Sequence, residues 1–212
     1  PLMVGGPPCQ SWSSAGHQKG LDDPRGTLFR DFVRLADDCG CRLVLFENVR
    51  GMLTARGPDG DPGGALRLIR STLWEHGFYS TVGLLNAADF GVPQRRVRLF
   101  IIGYRDCARP EFPSPTHQQP EPGTMEFLEP WVPLSSVLLR QADLDEEEWI
   151  LPTGKMAERL VGIEPGNGVK SIGKTETTRP GGHWGYMQGG FVADPILPAR
   201  TVTASAQQDW IL

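Results

Sequence analysis

Cysteine is sparse: positions 9, 39, 41 and 107 are the four in 212 residues. That is too few, and too unevenly spaced, for a disulfide scaffold, so a reducing, cytoplasmic setting is expected. Cys39 and Cys41 form a C-x-C with no second Cys or His pair at ligand spacing, and no metal site is expected from them. No apolar run approaches the roughly 18 residues that a membrane-spanning helix needs. Positive charge is also short, with 21 Lys and Arg against 25 Asp and Glu giving a net charge of −4. The chain therefore lacks an overall basic field, and any nucleic-acid site has to be basic locally. Lysine is scarcer still, 4 residues against 17 arginines, which codon bias alone would produce, so an arginine taken singly marks nothing. No repeat is seen at solenoid periods. The first residue is Pro1 and an apolar stretch follows at once, with no charged leader ahead of it, so the chain is expected to be a piece of something longer.

What is present alternates between strand and helix signals. Residues 2–5 form a short apolar strand that must break at Gly5-Gly6-Pro7-Pro8, since proline cannot continue a ladder. Leu28, Phe29, Phe32, Val33 and Ala36 recur at helical spacing and predict a helix over about 26–39. Leu43–Phe46 is a continuous apolar run, the pattern of a strand buried on both faces, ending at Glu47-Asn48. A Gly- and Pro-rich loop over 55–64 precedes a second helix marked by Leu66, Ile69, Leu73 and Trp74 and stopped by His76-Gly77. Strands are expected over 78–86 and 97–104, with a turn at Phe90-Gly91-Val92-Pro93 between them. The class is α/β. From about residue 110 prolines crowd the sequence, an acidic run Asp143–Glu148 follows as a solvated face, and periodicity weakens, so a second, less regular lobe is expected.

A right-handed βαβ unit makes strands 2–5 and 42–47 parallel, and the loops after them then leave from one sheet edge, where open α/β folds bind ligands. Cys9 and Glu47 would share that crevice, a thiol nucleophile and a proton donor aimed at one small molecule. Glycines allow close backbone approach and prolines stiffen the loop ahead of Cys9. Arg95, Arg96 and Arg98 supply positive charge that favours a thiolate, if the fold brings them near. Singly, each has a plainer explanation: a buried small thiol, a surface carboxylate, a solvated basic face.

Taken together and in order, the residues resemble the DNA cytosine-5 methyltransferase family. The blocks are Gly5-Gly6-Pro7-Pro8-Cys9-Gln10-Ser11-Trp12-Ser13 with Gly16, Asp23-Pro24-Arg25-Gly26-Thr27-Leu28-Phe29, Glu47-Asn48-Val49, and Leu85-Asn86-Ala87 with Phe90-Gly91-Val92-Pro93-Gln94-Arg95-Arg96-Val97-Arg98. They cover roughly residues 1–105. The resemblance implies a partial doubly wound, Rossmann-like methyltransferase sheet over 1–109, an irregular target-recognition lobe over 110–199, and a return segment over 200–212 that opens with Arg200-Thr201-Val202-Thr203-Ala204.

It also implies a reaction. Cytosine carbon 5 is a poor nucleophile until Cys9 adds to carbon 6; the ring then attacks the methyl group of S-adenosylmethionine. Charge pushed onto N3 is met by Glu47, which must hold a proton to donate it and is therefore expected to be buried in the crevice. Arg96 and Arg98 would help hold the base and its phosphates, projecting from one face at strand-like spacing, while Arg95 points away. The target nucleotide of double-stranded DNA must flip out of the stack, and the polar loop from Gln10 to Asp23 is placed to close over it, with Gln10, Ser13 and Gln94 as DNA contacts. Lys170, Lys174, Arg179, His183, Trp184 and Tyr186 are candidate DNA contacts of the lobe.

Pro8 and Leu28 would touch the cofactor. The family's Phe-x-Gly-x-Gly turn, its acidic ribose and adenine ligands and its last motif are not found among these residues, so weak S-adenosylmethionine binding, and a partner or further chain that supplies the N-terminal cofactor-binding half, are expected. Three rivals stand beside this reading: a tRNA cytosine-5 methyltransferase, a non-catalytic DNA-binding or regulatory fragment, and a thiol hydrolase using His17 or His183.

Overall fold

The computed structural model describes residues 1–7, 28–58, 60–120, 127–140, 143–145, 147, 150–168, 190–202 and 209–211. They divide into two units, Pro1–Asn86 with Val97–Ser114 and Ala87–Arg96 with Pro115–Leu212.

In the first unit β1 (Leu2–Gly5), β2 (Leu43–Val49), β3 (Tyr79–Asn86) and β4 (Val97–Tyr104) form one sheet in the order β1-β2-β4-β3. β1 and β2 are parallel, as a βαβ connection requires, with Gly5 opposite Phe46. β4 inserts between β2 and β3 and runs antiparallel to both. The sheet is therefore mixed, and the class is α/β.

Helix α1 (Leu28–Asp38) buries Phe29, Val33 and Ala36 along one stripe, and α2 (Gly64–Glu75) buries Ala65, Ile69 and Leu73. These stripes join Val44 and Phe46 of β2 and Leu99 and Ile101 of β4 in a single core, in which Phe32 meets Phe46 edge-on with ring centres 4.4 Å apart. Both helices end the same way. Gly40 and Gly77 take φ of +63° and +78°, a left-handed turn that a side chain resists, and the N–H groups of Cys41 and Phe78 then reach back to the carbonyls of Ala36 and Leu73. Cys41 and Phe78 are thereby turned into the core.

The β2 run was expected to be buried on both faces. In the structure only Val44, Phe46 and Asn48 are buried, and the alternate residues Leu43, Leu45, Glu47 and Val49 are half-buried. The physical reason is that α1 and α2 both join the core on one face. On the other face of the neighbouring strand, Leu2 and Val4 keep 57% and 62% of their surface.

At the end of the sheet where β2 starts and β4 finishes, Asp37 takes a hydrogen bond from Arg105 (2.6 Å) and pairs with His76 Nδ1 (3.0 Å). Arg105 also donates to the Cys41 carbonyl and lies 4.3 Å from the Phe78 ring centre, so it joins the ends of both helices. The hydrogen bond to His76, then that to Arg105, holds the Asp37 carboxyl below its usual range.

The second unit has short elements: a parallel pair β5 (His117–Gln118) and β6 (Glu129–Pro130), and α3 (Gly154–Leu160). Asp89, in the helical turn Ala87–Phe90, accepts the Trp131 indole N–H at 2.9 Å, and its carbonyl accepts the Thr116 N–H. Phe191, Val192 and Ala193 are buried, and Arg200 stacks 3.9 Å above the Phe191 ring while gripping Asp209 through two hydrogen bonds. No described helix is long and apolar enough to cross a membrane.

Candidate functional site

The parallel pairing of β1 and β2 decides which backbone meets which side chain at their shared exit. Gly6 follows β1 directly and lies against Glu47: a Cβ built there would sit 3.5 Å from both the Glu47 carbonyl and its Oε2. The buried Asn48 donates from Nδ2 to the Pro7 carbonyl at 3.3 Å, and its Oδ1 accepts the Val49 N–H at 2.8 Å. The root of the Gly-Gly-Pro-Pro-Cys segment is thus fastened to the end of β2.

Glu47 is not buried as expected. Its side chain is 39% exposed and its Oε1 lies 3.0 Å from Arg98 Nε. The reason is the pleat: Glu47 belongs to the half-buried alternation of β2, and Arg98, opposite Val49, stands diagonally from it on the same face. The two carboxylate oxygens are divided, Oε1 toward Arg98 and Oε2 toward Gly6. Arg98, at 18% exposure, is more enclosed than its partner and also donates to the Val97 carbonyl.

The other expected positions fall as follows. Cys9, Pro8, Gln10 and Ser13 lie outside the described residues, as do Lys170, Lys174, Arg179, His183, Trp184 and Tyr186. Leu28 is the first residue of α1 and keeps 40% of its surface. Gln94 and Arg96 belong to the second unit, ahead of the first residue of β4, so the strand-like alternation begins only at Val97. There Gln94 bridges to Ala199, and the Arg96 carbonyl accepts the Ala87 N–H. Arg95 donates its N–H to the Ala199 carbonyl and accepts the Thr201 hydroxyl, and it lines a cavity of about 210 Å³ with Phe191, Asp194, Arg200 and Asp209.

Sequence reasoning missed Asn48, although its signal was available: a polar residue two positions after Phe46 on the same buried row needs a partner. The grouping of Asp37, His76 and Arg105 had no local signal, since Arg105 and Asp37 are 68 positions apart. Among the described residues no group of His, Cys, Asp and Glu could hold a metal ion.

A family model, C-5 cytosine-specific DNA methylase, matches residues 1–160. The chain belongs to this family.

Among curated relatives, the methylase-family chain is 41% identical over 120 residues to Type II methyltransferase M.FnuDI of Fusobacterium nucleatum, covering 55% of this chain and 33% of that protein. It is 41% identical over 119 residues to M.AquIA of a Picosynechococcus strain, covering 55% and 48%, and 43% identical over 105 residues to the orphan methyltransferase M.SPRI of Bacillus phage SPR, covering 50% and 23%. The chain thus spans at most about half the length of these relatives. Solved structures that it resembles include the Entamoeba histolytica methyltransferase EhMeth, at 17% identity and TM-score 0.47 over 71% of this chain and 42% of that one. A Spodoptera frugiperda DNMT2 mutant aligns at 24% identity and TM-score 0.44 over 69% and 41%. The family assignment rests on the sequence match.

Proposed function

We propose that the chain carries the nucleophile and recognition parts of an enzyme that methylates carbon 5 of cytosine in double-stranded DNA. The observation that carries the reading is the Glu47–Arg98 pair at 3.0 Å, with the second carboxylate oxygen turned toward Gly6, three residues before Cys9. A carboxyl at the mouth of one parallel strand pair, with a cysteine three residues on in sequence from Gly6, suits a planar base that needs attack at one ring atom and a hydrogen bond at another.

The Cys9 thiolate adds to carbon 6 of a flipped cytosine, and the electron pair moves toward carbon 5 and N3. Glu47, oriented by Arg98, carries a proton once the base is seated and donates it in a hydrogen bond to N3, meeting the charge as it develops. S-adenosylmethionine supplies an electrophilic methyl group that carbon 5 takes. Loss of the carbon-5 proton to a base then expels Cys9 as thiolate and restores the ring. Leu28, half-exposed at the start of α1, and Pro8 are this chain's proposed apolar contacts to the methyl donor. Arg96, Gln94, Gln10 and Ser13 are proposed to hold the DNA. The lobe over 110–199 is proposed to read the flanking sequence.

Covalent trapping tests the reading. The complete protein is given S-adenosylmethionine and duplex DNA carrying 5-fluorocytosine, whose carbon-5 fluorine blocks the final elimination. A denaturation-resistant adduct that disappears in Cys9→Ser, with DNA binding retained, is the expected result. An adduct that persists in Cys9→Ser removes the nucleophile assignment. An adduct on a parallel RNA oligonucleotide alone would move the substrate to tRNA, and DNA binding without any adduct would leave a non-catalytic binding module.

A further inference from the structure

Asn48 sits in a buried row of β2 whose other members, Val44 and Phe46, are apolar, and it is only 6% exposed. A leucine there would fill a core as well. The carboxamide instead links two strand exits, donating to the Pro7 carbonyl at 3.3 Å and accepting the Val49 N–H at 2.8 Å. Pro7 and Pro8 carry no N–H, so this dipeptide has only carbonyls by which it can be fastened, and a side-chain donor is the group suited to the task. Both prolines also fix their own φ, so anchoring one carbonyl directs a stiff segment that runs on to Cys9.

We propose that Asn48 is the positioning residue of the nucleophile loop, its amide N–H setting where the Gly-Gly-Pro-Pro segment delivers Cys9 relative to Glu47. The proposal rests on Cys9 being the nucleophile. It ties both partners to a two-residue span: Glu47 presents the carboxyl on one face of β2 while Asn48 holds the loop root from the other. Displacing that root separates thiol and carboxyl without removing either, which slows the bond-forming step and leaves DNA affinity alone.

The test is the single-turnover rate constant and amplitude of adduct formation by the complete protein, with S-adenosylmethionine and a duplex in which every cytosine is 5-fluorocytosine. Asn48→Asp keeps the shape and the acceptor for Val49 but faces Pro7 with an oxygen. Asn48→Ser keeps a donor too short to reach. In each variant the rate constant is expected to fall about tenfold to a hundredfold, with adduct amplitude and DNA affinity retained. A purely structural role lowers the amplitude, as fewer molecules fold, and leaves the rate constant of the remainder unchanged; an unchanged rate constant in either folded variant overturns the proposal. If the unaltered protein forms no adduct while binding the duplex, the nucleophile reading falls, and the positioning role with it.

Discussion

Glu47 and Arg98 belong to antiparallel neighbours and meet on a diagonal, so the carboxyl is aimed by a group that its own strand does not carry. Glu47→Gln keeps the shape and a hydrogen bond at N3 but removes the acid. Its adduct rate on 5-fluorocytosine DNA is expected to fall about 10²–10⁴-fold, the usual range for a lost acid or base, with DNA affinity nearly unchanged in a filter-binding or anisotropy titration. Arg98→Lys retains the charge and loses the planar fork whose Nε holds Oε1, so a slower adduct with near-normal folding is expected by the same two measurements. Gly5 makes a packing prediction. A Cβ there would lie 2.5 Å from a ring carbon of Phe32, the residue that packs on Phe46, so Gly5→Ala forces the ring to move. A loss of about 1–3 kcal/mol in urea unfolding is expected. The end of the apolar β2 run made Glu47 readable as a strand-end carboxyl, whereas the place of Asn48 in the buried row was missed, because the run was read as buried on both faces and the alternation came only with the structure. The exposure of Glu47 was not readable, because it depends on what covers the second face of the sheet.

Among the elements, the strands and helices of the first unit follow their sequence signals closely: α1 at Leu28–Asp38 against an expected 26–39, and β3 and β4 within a residue of expectation. Strong helical spacing and glycine stops explain this, since Gly40 and Gly77 end the helices by backbone geometry that needs no tertiary help. How those ends are joined is a different matter. Asp37, on α1, is held below its ordinary pKa of 3.8 by His76 and Arg105. The ionised carboxylate is therefore favoured in the folded state. Its contribution to stability is present above 3.8 and is lost as pH falls through the still lower folded value. Asp37→Asn is expected to melt below the parent at pH 7, with the two melting curves converging on acidification under that value. A difference that widens with acid would refute this account.

For the molecule as a whole, the second unit depends on ties between distant short segments rather than on long elements. Arg200 is clamped by Asp209 at 2.8 and 2.5 Å and stacked on Phe191, and Val192 bridges to Trp210. Asp209→Asn weakens a charge-assisted pair worth about 1.5–3 kcal/mol, so faster amide exchange is expected across 190–202 and 209–211. Composition, periodicity and motif order made the α/β class and the methylase family legible before any coordinates, because helix stripes, glycine stops and motif blocks are written in neighbouring residues. Which strand lies beside which was not legible. The insertion of β4 between β2 and β3, the Glu47–Arg98 diagonal, the amide bridge from Asn48 to Pro7 and the Arg105 junction all join residues far apart in the chain. Their pairing follows from burying one shared core, and no short window of sequence contains that constraint.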